Sequence, residues 1–395
     1  MSKPQRTAAI VGVGASSFYR RGRSLPKTSI ELAGIAVLEA LDDAGLSVSD
    51  VDGFALFAGG IDVSMLAYTL GIPEIRFTAS VTGGGGGSAG SIGLACDAIA
   101  SDSANVVVSV MAMQQAEYRL GRTELSGGSG PYALRHTSDK DFTLPFGMLS
   151  PGQKFAMVIT RHMHLYGTNR THFAEIVIGT RNNAISRPGA LMKGEITLDD
   201  YFAARMISDP LCLLDFCLES DGAVAVITTS EDRAKDLRSK PIKVLAAETG
   251  GIGTYGHSVG WMTTPDDYFA TSFHRSVAKR LFASAELTPD DIDVAEFYDH
   301  FSPMVLLQLE DYGFCPVGES GPYVADGNVR WPDGALPVNT HGGNLSEAYI
   351  MGMTHIKEAV EQLRGTAVNQ VPGATTALVT GGPAALPVSA IILGS

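Results

Sequence analysis

Eight consecutive small residues, Gly83-Gly84-Gly85-Gly86-Gly87-Ser88-Ala89-Gly90, precede a stretch that reads as a helix from Ser91 to Ala100. Free backbone N–H groups at a helix N-terminus carry partial positive charge and can receive a developing oxyanion. A low-complexity loop is the plainer reading of the same run. Dinucleotide binding fits less well, because no acidic residue ends a strand about twenty residues later. The four cysteines, Cys96, Cys212, Cys217 and Cys315, form no C-x-x-C pair and no metal-ligand spacing. They read as buried free thiols. His136, His162, His164 and His172 are scattered, and helical spacing puts His162 and His164 on different faces, which argues against a metal site.

The elements that must position these groups read as a large α/β protein. The chain has 395 residues, 45% of them hydrophobic and 18% charged, with no block of like charge. A net charge of −13 argues against a nucleic-acid surface, which wants clustered Lys and Arg, but leaves an anionic small ligand open through local basic groups and helix N-termini. The N-terminal apolar stretch is too short for a signal peptide or a membrane span, so a cytoplasmic protein with no membrane contact is expected.

Residues 7–13 read as a buried strand, Ser29 to Leu46 as an amphipathic helix, and Val51 to Phe57 as another strand. The nearly continuous Val run from Asn105 to Met111 reads as a strand covered on both faces. From about Glu117 to Cys217 the periodicity breaks up, with only short helical pieces such as Gln153 to Tyr166. The chain returns to the sheet at Asp221 to Ile227, and a second run of strands and helices opens at Ile242. Thr288-Pro-Asp-Asp-Ile-Asp-Val-Ala repeats the pattern of Ser47-Val-Ser-Asp-Val-Asp-Gly-Phe, each after a helix that ends in Ala-Glu-Leu or Ala-Gly-Leu. Two copies of one α/β unit follow. The expected division is 1–116 with 218–238 as the N-terminal half, 117–217 as an excursion folded over it, and 239–395 as the C-terminal half.

With these features the chain resembles the thiolase superfamily over almost its whole length, in the lipid-transfer-protein branch related to the thiolase domain of sterol carrier protein. The likeness lies in Leu214-Asp-Phe-Cys-Leu-Glu-Ser-Asp-Gly-Ala-Val-Ala-Val, in Glu296-Phe-Tyr-Asp-His-Phe, in Gly313-Phe-Cys-Pro-Val-Gly-Glu, and in Asn339-Thr-His-Gly-Gly-Asn-Leu-Ser-Glu-Ala-Tyr-Ile-Met-Gly. It implies a thiolase fold, two α/β halves in a five-layered αβαβα arrangement. The departures are more informative. Counting back from Ser91 puts Gly85 where a thiolase carries its nucleophilic cysteine, and glycine can form no acyl-enzyme. Tyr349 replaces the histidine of the family's Gly-His-Pro motif. The segment that would hold the late catalytic cysteine, Val379-Thr-Gly381-Gly382-Pro, contains none.

These losses resemble one group, the cysteine-less aldolases of steroid side-chain degradation. The resemblance implies retro-aldol cleavage of a β-hydroxyacyl-CoA with a tertiary hydroxyl, giving a 17-ketosteroid-like ketone and propionyl-CoA, or acetyl-CoA from another side chain. It assigns acid–base work to Tyr298 and Tyr349, and either could be the base. A phenol starts near pKa 10, so a base role needs donors or a nearby cation; His300 and His341 could help, and Asp299 could orient a neighbour. Gly84, Gly85, Gly86, Gly381 and Gly382 would bind the thioester oxygen. Phe142, Phe146, Met148 and Trp261 are candidates for lining a sterol-sized pocket, with plain core as the commoner reading. No metal or organic cofactor is implied, since CoA is part of the substrate. The implied partners are a second copy of the chain and a small protein with an OB-fold and a zinc ribbon, in an α2β2 assembly. The rival readings are a non-catalytic acyl-CoA-binding or scaffolding subunit, and a thiolase using a displaced cysteine such as Cys96.

Overall fold

A computed structural model of the chain describes residues 7–57, 61–81, 86–117, 119, 144–252, 264–384 and 386–395. The N-terminal strands are β1 (Ala8–Ala15), β2 (Tyr19–Arg20), β3 (Gly53–Phe57), β4 (Phe77–Val81) and β5 (Val106–Met113). After a short hairpin, β6 (Met206–Ser208) and β7 (Leu211–Cys212), come β8 (Ser220–Ser230), β9 (Ile242–Gly250), β10 (Val294–Glu296), β11 (Thr376–Gly381) and β12 (Val388–Gly394). Every residue of β5 and of β8 is buried, as expected of strands covered on both faces.

The sheet order shows the repeat. In the N-terminal half, β3 runs parallel to β5, β5 antiparallel to β8, and β8 antiparallel to β1. In the C-terminal half, β10 runs parallel to β11, β11 antiparallel to β12, and β12 antiparallel to β9. The two copies meet edge to edge where Ala9 and Ile10 of β1 pair with Lys243 and Ile242 of β9.

Helices complete five layers. Helix α1 (Ser29–Ala44) starts at a capping box between Thr28 and Glu31 and stops at Gly45 in the left-handed conformation. It lies against β1, β5 and β8 on the outside of the first half. Helix α2 (Val63–Leu70) packs on α1. Helix α3 (Gly87–Ala100) touches β3 and β5 on one side and β9, β11 and β12 on the other, so it lies between the two halves of the sheet.

The excursion holds more regular structure than its sequence suggests. Helices α4 (Pro151–Tyr166) and α5 (Arg170–Ile185) have 16 residues each. The second escapes a hydrophobic-period reading because its buried side carries Thr180, Arg181 and Asn183. These polar groups have partners: Arg181 Nε donates to Ser346 Oγ (3.0 Å) and Asn183 Nδ2 to the Asn339 carbonyl (3.0 Å). In the C-terminal half, α6 (Arg275–Ala285) covers β9 and β12 from outside. Helix α7 (Pro303–Asp311) is buried throughout and packs on α5. Helix α8 (Met353–Arg364) contacts strands of both halves and α3, completing the middle layer.

One expected boundary moves. The helix after the glycine run begins at Gly87 rather than Ser91, so the end of the run is already helical. Close packing demands glycine there: a methyl group on Gly87 would stand 1.5 Å from Phe57 Cδ2, and one on Gly86 would stand 1.9 Å from the Pro387 carbonyl oxygen. No helix among the described residues is long and apolar enough to cross a membrane.

Candidate active site

Three segments converge at the C-terminal ends of β10 and β11. The first follows β10 and carries Tyr298, Asp299 and His300; the Tyr298 N–H donates to Thr380 Oγ1 of β11 (2.9 Å). The second runs from a one-turn π-helix (Gly343–Glu347) to Tyr349, which exchanges two hydrogen bonds with Ser220 of β8. The third is the start of α8. The two phenol oxygens meet at 2.9 Å, with Tyr298 2% and Tyr349 5% exposed. Tyr349 also donates to Met351 Sδ (2.8 Å).

Glycine is required at two positions around this pair. Gly343 has φ +61, and a methyl there would lie 2.0 Å from Asp299 Oδ2. Gly352 has φ +81, and a methyl there would lie 2.6 Å from Tyr298 Cδ2 and 3.0 Å from Ser88 Oγ. Ser88, in the first turn of α3, therefore faces Tyr298 across Gly352. Its hydroxyl is buried, with no hydrogen-bond partner among the described residues.

The remaining candidate glycines divide. Gly84 and Gly85 lie outside the described residues. Gly86 caps α3, and its carbonyl accepts from Ser389 Oγ (2.6 Å), while Ser389 is the register partner of Gly381. Gly382 follows in the left-handed conformation, φ +73. The start of α3 and the end of β11 are thus brought to one place.

The histidines are shifted in opposite directions. His300 packs edge-on to Phe155 and Tyr298, its Nδ1 has no partner among the described residues, and burial holds it well below the ordinary imidazole range. His341 is fully buried, and burial pushes it down to about 4 against the opposing pull of Glu347. Its Nδ1 lies 2.9 Å from Glu296 Oε2, at an angle too oblique for a hydrogen bond. Neither is the cation that a phenolate would want. The imidazole whose pKa is raised is His355 of α8, which the sequence did not single out. Burial opposes its charge, but its hydrogen bond to Asp299 (3.1 Å) and the Asp299, Glu296 and Glu347 carboxylates raise its pKa. Its ring stacks on Tyr298 at 6.2 Å and 18°. Glu296 is itself lifted to about 7 by burial.

The thiols offer no nucleophile. Burial pushes Cys96 and Cys315 up to about 12 and raises Cys212 and Cys217 as well. Cys96 lies inside α3, which leaves the displaced-cysteine reading without support. His162 is buried between Glu310 and Thr168, His164 is exposed, and no group of three metal-binding side chains occurs among the described residues. His136, Phe142 and Trp261 lie outside those residues. Phe146 and Met148 line a cleft of about 700 Å³ with Met157, Arg161 and Phe269. It lies on the face of α4 opposite Phe155, and neither tyrosine lines it.

Comparison with known proteins shows the family and the fold. Residues 255–395 match the family model for a thiolase C-terminal domain-like unit. The chain is 40% identical to a 17-hydroxy-3-oxo-4-pregnene-20-carboxyl-CoA lyase of Mycobacterium tuberculosis, covering 98% of this chain and 99% of that one. It is 39% identical to a steroid side-chain-cleaving aldolase of Thermomonospora curvata, over the full length of both. The chain belongs to the thiolase superfamily, among its steroid side-chain-cleaving aldolases. The solved structure of an Ltp2–ChsH2(DUF35) aldolase superposes with a TM-score of 0.90 at 37% identity, covering 100% of this chain and 99% of that one. The two-halved α/β architecture and the loss of the family's cysteine chemistry, both legible in the sequence, therefore stand together.

Proposed function

We propose that this aldolase-family chain cleaves a steroid side-chain β-hydroxyacyl-CoA by a retro-aldol reaction, with Tyr298 and Tyr349 as the proton-transfer pair. The observation that carries the reading is the 2.9 Å contact between two phenol oxygens almost shut off from solvent. The chain is a carbon–carbon lyase and not a thiolase. A 17-hydroxy-3-oxo-4-pregnene-20-carboxyl-CoA has its hydroxyl on the carbon next to the one bearing the thioester arm. That tertiary alcohol cannot be oxidised to a ketone, so thiolysis is closed to it.

In the proposed reaction one phenol oxygen takes the hydroxyl proton. The carbon–carbon bond breaks, leaving a ketone on the steroid, and the electron pair passes into the thioester enolate. A proton delivered to the α-carbon then gives propionyl-CoA. The reaction gains and loses no proton overall, so a pair of phenols that share one can accept at one oxygen and donate at the other. The enolate oxygen needs donors, and the first-turn N–H groups of α3 at Gly86 with the Ser88 hydroxyl, beside Gly381 and Gly382, are suited to that part. The chemistry calls for no metal or organic cofactor.

The likeness to the Ltp2–ChsH2(DUF35) aldolase supports a partner subunit. We take it as a small OB-fold and zinc-ribbon protein bound to a homodimer of this chain in an α2β2 assembly. The test is product analysis: the protein with its partner should convert the 17-hydroxy acyl-CoA into equal amounts of 17-ketosteroid and propionyl-CoA without added free CoA. Absence of turnover, or a requirement for free CoA, would refute the reading.

A further inference from the structure

The tyrosine pair is held by groups that the proposed chemistry does not use. Asp299 Oδ1 accepts from His355 Nε2 (3.1 Å) and from the Asn344 N–H (2.8 Å), so one carboxylate joins the start of α8 to the segment that leads into Tyr349. The same carboxylate belongs to the residue after Tyr298 and lies flush on Gly343. The His355 ring runs nearly parallel to the Tyr298 ring, at 18° with centroids 6.2 Å apart, and the His341 ring meets the His355 ring edge-on at 4.6 Å. Both His355 and Asp299 are fully buried. The Tyr298 ring therefore lies alongside an imidazole that cannot itself turn without breaking its bond to the carboxylate.

We infer that His355 is a positioning residue for the tyrosine pair: docked on Asp299, its ring sets the plane of Tyr298 and so the meeting of the two phenol oxygens. This rests on the reading that the pair performs the proton transfers. The effect acts through orientation: His355 is tied to Asp299 and its ring runs nearly parallel to that of Tyr298. Removing the ring lets Tyr298 tilt, and misplacement of about 1 Å at a reacting group costs about a hundredfold in rate.

The test is a double-mutant cycle in the full-length protein, assayed on 17-hydroxy-3-oxo-4-pregnene-20-carboxyl-CoA. His355→Gln keeps a polar group towards Asp299 and removes the flat ring. Alone it should lower kcat about tenfold to a hundredfold with KM within about twofold. In a Tyr298→Phe background it should lower kcat by no more than about twofold, because the residue it positions no longer transfers a proton. Losses that multiply in the double variant would overturn the proposal, as would an unchanged kcat in His355→Gln. Should His355→Gln fail to fold, Asp299→Asn probes the same link and must show the same non-additivity with Tyr298→Phe. A wild-type rate in Tyr298→Phe alone would instead refute the tyrosine reading on which this one stands.

Discussion

Replacing Gly352 by alanine places a methyl group 2.6 Å from Tyr298 Cδ2 and 2.8 Å from Cε2. Carbon atoms rest at about 3.5–4.0 Å, so the ring must retreat by about 1 Å. The left-handed φ of +81 adds a backbone cost of about 1–2 kcal/mol. A displacement of that size at a reacting group predicts a fall in kcat of about a hundredfold, or about 2.7 kcal/mol of activation free energy. Gly365, at the C-terminus of α8, supplies the control: its φ is +77 and nothing lies within 4 Å of where the methyl would go. Gly365→Ala should show a similar loss in urea unfolding with wild-type kcat. Gly352→Ala should lose both. The assay is steady-state release of propionyl-CoA beside equilibrium unfolding of each variant. Wild-type kcat in a folded Gly352→Ala protein would refute the idea that the Tyr298 ring position controls the rate.

Alkylating the accessible thiols, or changing any one of the four cysteines to Ser, should leave kcat within about twofold, since covalent catalysis at sulfur is not required; loss of activity in a folded Cys variant would contradict this. A pH series on stability isolates His274, whose Nδ1 bonds the Tyr312 hydroxyl (2.8 Å) and whose pKa burial lowers from 6.5 to about 3. The unfolded chain takes up the proton first, so stability from this group is complete above about pH 6.5 and falls by about 2 kcal/mol at pH 5. A His274→Asn variant should lack that component; urea unfolding that gives the same difference between the two proteins at pH 7 and pH 5 would refute it.

The alternation of strands and helices and the departure from thiolase chemistry are legible because both rest on local pattern: buried Val runs, capped helices, and a Tyr at a motif position. The excursion was only half legible. Helix α5 carries Thr180, Arg181 and Asn183 on its buried side; Thr180 donates to its own helix, while Arg181 and Asn183 reach Ser346 and Asn339, more than 150 residues away. His355 was invisible for a related reason. In the sequence it sits in an ordinary amphipathic stretch, Met353-Thr-His-Ile-Lys-Glu-Ala-Val, and only the fold brings it to Asp299, 56 positions earlier. His300 and His341, by contrast, stand inside motifs. Burial without a compensating hydrogen bond leaves them neutral, a property that residue type and spacing do not carry. In the glycine run, Phe57 and the Pro387 carbonyl require glycine at two positions, a steric demand that the sequence alone does not display.

The most direct measurement is the single-turnover rate of a Tyr349→Phe protein on 17-hydroxy-3-oxo-4-pregnene-20-carboxyl-CoA, with thermal unfolding as a check on the fold. Only a hydroxyl is removed, from a ring that is 5% exposed and whose oxygen lies 2.9 Å from that of Tyr298. General acid–base groups contribute about 10²–10⁴-fold. The account predicts that carbon–carbon cleavage slows at least about a hundredfold, with unchanged thermal stability. Retention of more than about a third of the wild-type cleavage rate would contradict it, since that is far below the span of general acid–base catalysis.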